Sequence, residues 1–517
     1  ANMSFQGQKF PVKIKLKGAT AHEHQGVKKW SFKVQLKGDS RFIGMQSFSL
    51  MDPKRRNWQM EWLYRLALKE EGVISKKYDF INVSINGVDM GLYAFDEGFN
   101  KTMLERNQRR DGPIISFEDD SFWLEDAAFG ALSPNEWGDY YLSAPIEIKN
   151  SKNNIITQHA QKAIDLMAGF RRGELSARKV FDIDKLAKTM ALGDIFKSSH
   201  GFLPFNSVFY YNPIIHRLEP IPDDTYSETG LMPDGIFRFN DYWVTGIFLD
   251  QITSDFDFAE AYLRELYRMT RDDSYLDSLL MKYDKEIDEN KNAFSADSIF
   301  RIYGDLNPSR IYGSIKTLRK ILNPHVAVIA NFEKFTPQGV TLKIASSTPL
   351  PIEIISLNID DKFTLLPCKL DEKKCANKIK GRGHNSVLNY SEYEFVYPES
   401  FDISLYSKSL DGVGFIKVNY RILGSDQIRS DSIFGYKIGK EEINKKSIAV
   451  LPFDNYSTAP EDQYFSDGIT EVIIAHLAKI EDFTVISRTS VMGYKGTTKS
   501  LKEIGKELGV AHILEGS

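Results

Sequence analysis

FNSVFYYNPIIHRLEPIPDD, residues 205–224, is the stretch on which the reading of this chain turns. Two largely apolar runs, VFYYNP and RLEPIP, flank a short turn and predict a strand pair. Side chains bearing oxygen stand at its open ends, Asn206 before the first strand and Asp223-Asp224 after the second. Mg²⁺ takes hard oxygen ligands, which an amide and a carboxylate can deliver from neighbouring strand ends. The pattern predicts that Asn206 and Asp224 point into one cleft and hold a metal there.

Toward the N-terminus the periodicity is mostly two. FPVKIKLK at 10–17 alternates apolar and charged residues and stops at Gly18, WSFKVQL covers 30–36, and RFIGMQSFSL over 41–50 reads as another strand. Residues 54–71 carry Trp58, Trp62, Leu63 and Leu66 at helical spacing, with Gly72 as the stop. DFINVSI and GLYAFDE then flank Asn86-Gly87, a hairpin signal. The first hundred residues therefore predict a mainly antiparallel sheet with one helix. On it, Lys33 is placed to meet phosphate, Glu61 on the helix to partner that lysine, and Glu97 at the end of its strand. Phosphoryl transfer needs this kind of set, because it depends on neutralising and positioning charge more than on covalent help. No GxGxxG loop or Walker sequence is present.

Toward the C-terminus, 155–200 and 256–325 are helical in pattern, the former through Ile164, Leu166, Met167, Leu186, Met190 and Leu192. Asn323-Pro324 marks a boundary, after which regularly spaced strands over 326–440 predict a small β-sandwich. A different α/β pattern begins near 441. With 517 residues, several domains are expected. A net charge of −4, from 66 basic and 70 acidic side chains, offers no electrostatic case for nucleic acid. No apolar run is long enough for a transmembrane helix. The N-terminus lacks the layout of a signal peptide and reads as the middle of something longer. Cys368 and Cys375, in CKLDEKKC, fit a disulfide-closed hairpin of an oxidising compartment or two free thiols.

Taken in order, the motifs resemble the spore-coat-protein-H (CotH) kinase-like family over about residues 10–325. The resemblance rests on KKWSFKVQL at 28–36, RFIG at 41–44, EEGV at 70–73 and INGVDMGLYAFDE at 85–97, followed by VFDIDKLAKTMALGDIF at 180–196 and the 205–224 stretch. It implies a two-lobed fold distantly related to secretory-pathway protein kinases, with ATP and Mg²⁺ or Mn²⁺ as cofactors. By position, Lys33 would meet phosphate, Glu61 or Glu97 would orient that lysine or the adenine side, and Asn206 and Asp224 would hold the metal. The family often has an Asp shortly before the Asn as catalytic base. Here His200 stands nearest that place, and the closest carboxylate is Asp194. A second family Asp, after the metal-binding one, is replaced by Tyr226. The base is thus Asp194, His200 or absent.

The tail resembles the TolB-N-terminal-like α/β domain of bacterial proteins, through AVLPF, YFSDGITE, VISRTS, YKG, IGKELGV and ILEGS. The expectation is an α+β multidomain chain: a protein-kinase-like two-lobe domain over 1–325, a β-sandwich-like spacer over 326–440 and a truncated α/β domain over 441–517. The implied function is phosphotransfer from ATP to a protein, at Ser or Thr, outside the cytoplasm of a bacterial cell. The alternatives are a pseudokinase and a non-catalytic envelope or assembly interaction protein.

Overall fold

A computed structural model of the chain describes residues 1–17, 29–118, 140–150, 157–198, 200–202, 206–225, 251–297, 306–336, 338–359, 363–367, 377–382, 388–398, 416–433, 446–455, 462–480, 483–497, 499–508 and 510–517. The predicted disulfide partners Cys368 and Cys375, like Tyr226, lie outside the described residues. The described residues divide into two units, one running to Ile433 and one beginning at Lys446.

The first unit opens with β1 (Asn2–Phe5), β2 (Gln8–Leu16), β3 (Phe32–Leu36), β4 (Ser47–Met51), β5 (Tyr78–Ile85) and β6 (Val88–Glu97). They form an antiparallel sheet in the order β1-β2-β3-β4-β6-β5. The alternation works as predicted on β3, where Val34 and Leu36 are buried and Lys33 and Gln35 are exposed. It fails at the end of β2, where Ile14 and Leu16 are exposed. The cover on that face is local: the Phe42 ring packs on Phe5, Phe10, Phe48 and Phe95, and Phe10 and Val12 end the cluster. The predicted strand over 41–50 is accordingly split. Phe42 and Met45 exchange backbone hydrogen bonds of 2.9 and 2.8 Å around a tight turn, and only Ser47–Met51 joins the sheet.

The predicted helix over 54–71 is also interrupted. A 3₁₀ turn, Pro53–Arg56, is capped by the Asp52 side chain, which accepts from the Lys54 amide at 3.0 Å. Asn57 and Trp58 then take φ of 54° and 59°, and α1 runs only from Gln59 to Glu70. It ends as expected at Gly72 (φ 65°), whose amide and that of Val73 cap the last turn. Between β5 and β6, Asn86 and Gly87 both have positive φ, as a type I′ hairpin requires.

A second antiparallel sheet has the order β10-β9-β7-β8, from β7 (Ile114–Phe117), β8 (Ile146–Ile148), β9 (Val208–Asn212) and β10 (Arg217–Pro220). The last two are the strand pair predicted from residues 205–224, registered Asn212 to Arg217 and Phe209 to Pro220. Around this sheet lie α2 (Lys101–Arg106), α3 (Gln158–Arg171), α4 (Ala177–Val180), α5 (Ile183–Ile195), α6 (Phe256–Thr270), α7 (Ser274–Lys282), α8 (Asp284–Ala296) and α9 (Ser309–Leu322). Thr157, Asp182 and Asp255 cap α3, α5 and α6 with their side-chain oxygens. Buried residues of α5, α6 and α9, among them Leu186, Met190, Leu263, Leu266, Ile315 and Leu318, share one core.

That core continues into a second β region. One sheet joins β11 (Val328–Thr336), β12 (Gly339–Ser346) and β16 (Ser391–Val396). The other joins β14 (Phe363–Leu365), β13 (Ile352–Ile359), β17 (Ile416–Ile422) and β18 (Arg429–Ile433), with β15 (Lys378–Ile379) on β13. Lys378 Nζ lies 2.8 Å from Glu260 of α6. Gly424, at φ 78°, sits so close to α6 that a Cβ there would stand 2.4 Å from the Arg264 amide nitrogen.

The second unit is a parallel sheet, β20-β19-β21, from β19 (Ser447–Val450), β20 (Thr484–Val485) and β21 (His512–Leu514). Helices α10 (Asp462–Leu477), α11 (Arg488–Met492) and α12 (Leu501–Leu508) accompany it, and Ala449, Leu451, Val491, Ile504 and Val510 form its core. Among the described residues of either unit, no helix is long and apolar enough to cross a membrane.

Gly424→Ala meets both a left-handed backbone and a backbone neighbour that cannot step aside, so it should destabilise the first unit by about 2–4 kcal/mol. Thermal or urea unfolding checks this; an unchanged midpoint would refute the packing described for Gly424.

Candidate functional site

A cleft of about 350 Å³ in the first unit is lined by Lys17, Lys33, Arg56, Lys76 and Lys149 together with Asp96, Glu97, Asp223 and Asp224. Asn206, Ser47 and Ser49 complete its polar lining. The sheet register builds one wall. Lys33 is opposite Ser49, and Ser49 is opposite Asp96, so three strands present one polar row on the face away from the Phe42 cluster. Lys17 follows the last residue of β2 and is tied down through its amide, which donates to the Ser31 carbonyl at 2.9 Å.

Lys76 ties this row to the rest of the cleft. It lies in the stretch between α1 and β5, 5% exposed, and its Nζ is 2.8 Å from Asp96 Oδ2 and 2.5 Å from Asp223 Oδ1. Arg65 of α1 lies 3.9 Å from the same Asp223 oxygen and 2.7 Å from Glu61 Oε1, one helical turn earlier. Its other nitrogen donates to the Pro222 carbonyl. The Thr225 hydroxyl reaches Glu61 at 2.9 and 3.0 Å. One connected set of charges thus joins α1, β6 and residues 222–225 that follow β10. Burying such charges singly would cost several kcal/mol each, so every member needs its partners.

The protonation states follow from that pairing. Burial works against the Lys76 ammonium, but Asp223 and Asp96 outweigh it and hold its pKa above the ordinary value. Burial likewise works against the Asp223 carboxylate, but Lys76, Arg65 and Lys17 hold its pKa well below the usual carboxylate range. Lys17 goes the other way. Its burial, reinforced by the nearby charges of Lys76 and Arg56, outweighs the pull of Asp96 and lowers its pKa.

Asn206 and Asp224 line the same cleft, and both touch the ring of His200. His200 Nδ1 is 3.0 Å from the Asp224 carbonyl, 3.6 Å from Asp224 Oδ1 and 3.0 Å from Asn206 Nδ2. The Asn206 amide also donates to the His200 carbonyl at 3.0 Å. Arg56 is ion-paired with Asp224. Burial, with the Arg56 charge, pushes the His200 pKa down to about 3, so its imidazole is neutral at ordinary pH.

The other predicted residues fall in differing places. Lys33 lines the cleft, but the expected Lys33–Glu61 pair is replaced by Glu61 with Arg65 and Thr225. The reason is reach within the helix: Arg65 is one turn from Glu61 on the same face. Glu97 lines the cleft, accepts from the Lys77 amide at 2.9 Å and is paired with Arg106. Asp194 is buried in the last turn of α5, where it accepts from the Tyr262 hydroxyl of α6, and it does not line the cleft. Sequence reasoning missed Lys17, Arg56, Arg65, Lys76 and Asp96. A signal existed for Asp96, whose place beside inward Phe95 on an alternating strand puts it on the Lys33 face. None existed for Lys76, which sits in the irregular stretch SKKYD.

A protein-family model described as CotH kinase protein matches residues 14–284, just over half of the chain and all of the residues that line this cleft. Separately, the chain is 55% identical over 73 residues to "Putative adenylate cyclase 3" of Rhizobium meliloti (strain 1021). That match covers 14% of this chain and 12% of that protein, so the chain spans only a small part of the relative's length.

Lys76→Met strands Asp96 and Asp223 beside each other and should destabilise the first unit by about 3–5 kcal/mol, measurable by denaturant unfolding. Adding Asp223→Asn should restore part of that loss; no restoration would mean that the pairing is not what holds Lys76. His200 gives a pH signature. Its folded pKa of about 3 is below the unfolded value, so between about pH 6.5 and 3 the unfolded chain binds a proton that the native chain refuses. Stability must fall as pH drops through that window. His200→Gln should remove on the order of 2 kcal/mol of the loss between pH 7 and 4, and identical pH profiles for the two proteins would rule this out.

Proposed function

We propose, for a chain that belongs to the CotH kinase protein family, that the cleft around Lys76 binds ATP with a divalent ion and passes the terminal phosphoryl group to a protein hydroxyl. The observation that carries this reading is the Lys76 set itself: one ammonium shared by carboxylates of β6 and of the segment after β10, braced by Arg65 and Glu61 of α1. In phosphoryl transfer the protein's work is charge neutralisation and alignment, and this set is rigid and lies at the cleft wall.

Lys33 and Lys17 line the cleft and, in this reading, meet the phosphates, while Lys76 stays paired with Asp96 and Asp223. Burial first, and then the charges of Lys76 and Arg56, lower the Lys17 pKa, and an entering polyanion would favour its charged form. Magnesium or manganese suits the donor set of this cleft. Asn206 commits its amide nitrogen to His200, which leaves its oxygen to offer, and Asp224 brings a carboxylate to the same rim. Among the described residues no group of three or more His, Cys, Asp or Glu is arranged around one point, but Mg²⁺ commonly takes one or two protein oxygens and fills its shell with phosphate and water. When bound, such an ion offsets charge on the transferring phosphoryl oxygens. His200 fixes the spacing of Asn206 and Asp224 through Nδ1. In transfer the Pγ–O bond to ADP breaks, a bond to the acceptor oxygen forms, and the acceptor proton must leave.

Proton removal favours a second reading, nucleotide binding without transfer. His200, with its pKa near 3, is a weak base, and Asp194 is committed to Tyr262 away from the cleft. A protein acceptor, Ser or Thr chemistry and a place outside the cytoplasm rest on family kinship. The second unit, whose sequence resembles a TolB-N-terminal-like domain, is proposed as an interaction module, since the cleft's residues all belong to the first unit. The cyclase named in the relative's description is not proposed for this chain, which shares 12% of that protein.

ATP with Mg²⁺ or Mn²⁺ should raise the unfolding free energy by about 2.7 kcal/mol at a hundred times its dissociation constant. Asp224→Asn and Lys33→Met should each reduce that gain. Incubation with labelled ATP and a mixed protein pool separates the readings: label on protein supports transfer, binding without label supports the pseudokinase, and no stabilisation by any nucleotide removes both.

A further inference from the structure

Among the described residues that line the cleft, Arg56 is ion-paired with Asp224, and the backbone at both ends of that pair is unusual. Asn57 and Trp58, directly after Arg56, have φ of 54° and 59°, and Asp224 itself has φ of 49°. Non-glycine residues in this region are strained, and they persist where the surroundings over-determine them. Here the surroundings do so on the Arg56 side: the Trp58 ring packs edge-on against Phe294 at 6.1 Å, and Asp52 caps the turn that carries Arg56. The Arg56 side chain is 13% exposed and that of Asp224 30% exposed, so their attraction is only partly screened. Arg56 also faces His200, whose pKa its charge helps to lower. The turn before α1 is therefore shaped to deliver one positive charge to the Asp224 rim.

Resting on the reading of Asp224 as a cation ligand, we propose that Arg56 is a resident counter-cation that a divalent ion must displace. This side chain then sets the ion affinity of the cleft. A guanidinium and a metal ion cannot share the same carboxylate oxygens without like-charge repulsion, so the ion's binding free energy includes release of Arg56. Linkage is reciprocal: whatever draws Arg56 off Asp224, such as phosphate entering the cleft, raises ion affinity by the same factor. The cleft would thereby take the ion together with nucleotide and discriminate against free ion. Release also loosens the turn that ends, at Arg56, three residues before α1, the helix that supplies Glu61 and Arg65.

The test is a Mn²⁺ titration followed by electron paramagnetic resonance, with and without a non-hydrolysable ATP analogue. It uses the full chain and its Arg56→Gln, Arg56→Lys and Asp224→Asn variants. Arg56→Gln should bind Mn²⁺ about tenfold more tightly or better without nucleotide, and should gain less from the analogue than the parent does. Arg56→Lys, which keeps a charge but loses the forked guanidinium, should tighten less, and it carries the test should Arg56→Gln not fold. Equal or weaker Mn²⁺ binding by the Arg56 variants overturns the inference. Mn²⁺ binding unaltered by Asp224→Asn, or absent throughout, overturns instead the assignment of Asp224 as a ligand, and the inference with it.

Discussion

The ammonium of Lys76, shared between Asp96 and Asp223, is the constraint on which the arrangement of this cleft depends. Asp96 belongs to the last strand of the first sheet, and Asp223 to the segment that leaves the second. A buried lysine with one carboxylate would be a modest anchor. With two, from elements 127 positions apart in sequence, it fixes where β6 of one sheet stands relative to the segment that leaves the other. Arg65 and Glu61 add α1 to the same set, so three elements cannot move independently without breaking a partly desolvated charge pair.

This connectivity explains why the residues that line the cleft are so evenly divided between signs. A pocket meant only to attract a polyanion would carry lysines and arginines alone. Here Asp96 and Asp223 are the structural partners of the central lysine, which leaves Lys33 and Lys17 as the groups with charge to offer an incoming ligand. Asn206 and Asp224 line the same cleft, held by a histidine that is neutral. Lysines and oxygen-bearing side chains thus line one cleft of about 350 Å³, and a metal–phosphate ligand calls for both.

The β region beyond residue 326 shares the core of the helices next to it. Gly424 lies against the backbone of α6, and Lys378 pairs with Glu260 on that helix. Helix α6 in turn packs on α5, which carries Asp194 into the interface with Tyr262. A substitution in the β region can therefore reach the cleft's neighbourhood through packed helices.

Much of the fold was legible in the sequence because it rests on local rules. Alternation marked β2 and β3, Asn86-Gly87 marked the β5–β6 hairpin, Gly72 marked the end of α1, and VFYYNP with RLEPIP marked β9 and β10. Residues at the ends of those elements, Asn206 and Asp224, could be named for the same reason, as could Lys33 on its strand. Partnerships could not. Glu61 has as its partner Arg65, one turn away on its own helix, together with Thr225, 164 residues on, and spacing within α1 cannot say which cation across the cleft competes. Lys76 lies in a stretch with no periodicity, and its meaning comes from carboxylates that only folding brings within 3 Å. The burial that holds His200 neutral and the helix–helix contact that turns Asp194 away are likewise properties of packing. Short-range backbone preferences are written in adjacent residues, whereas the pairing and desolvation of charges are decided by which distant segments the core draws together.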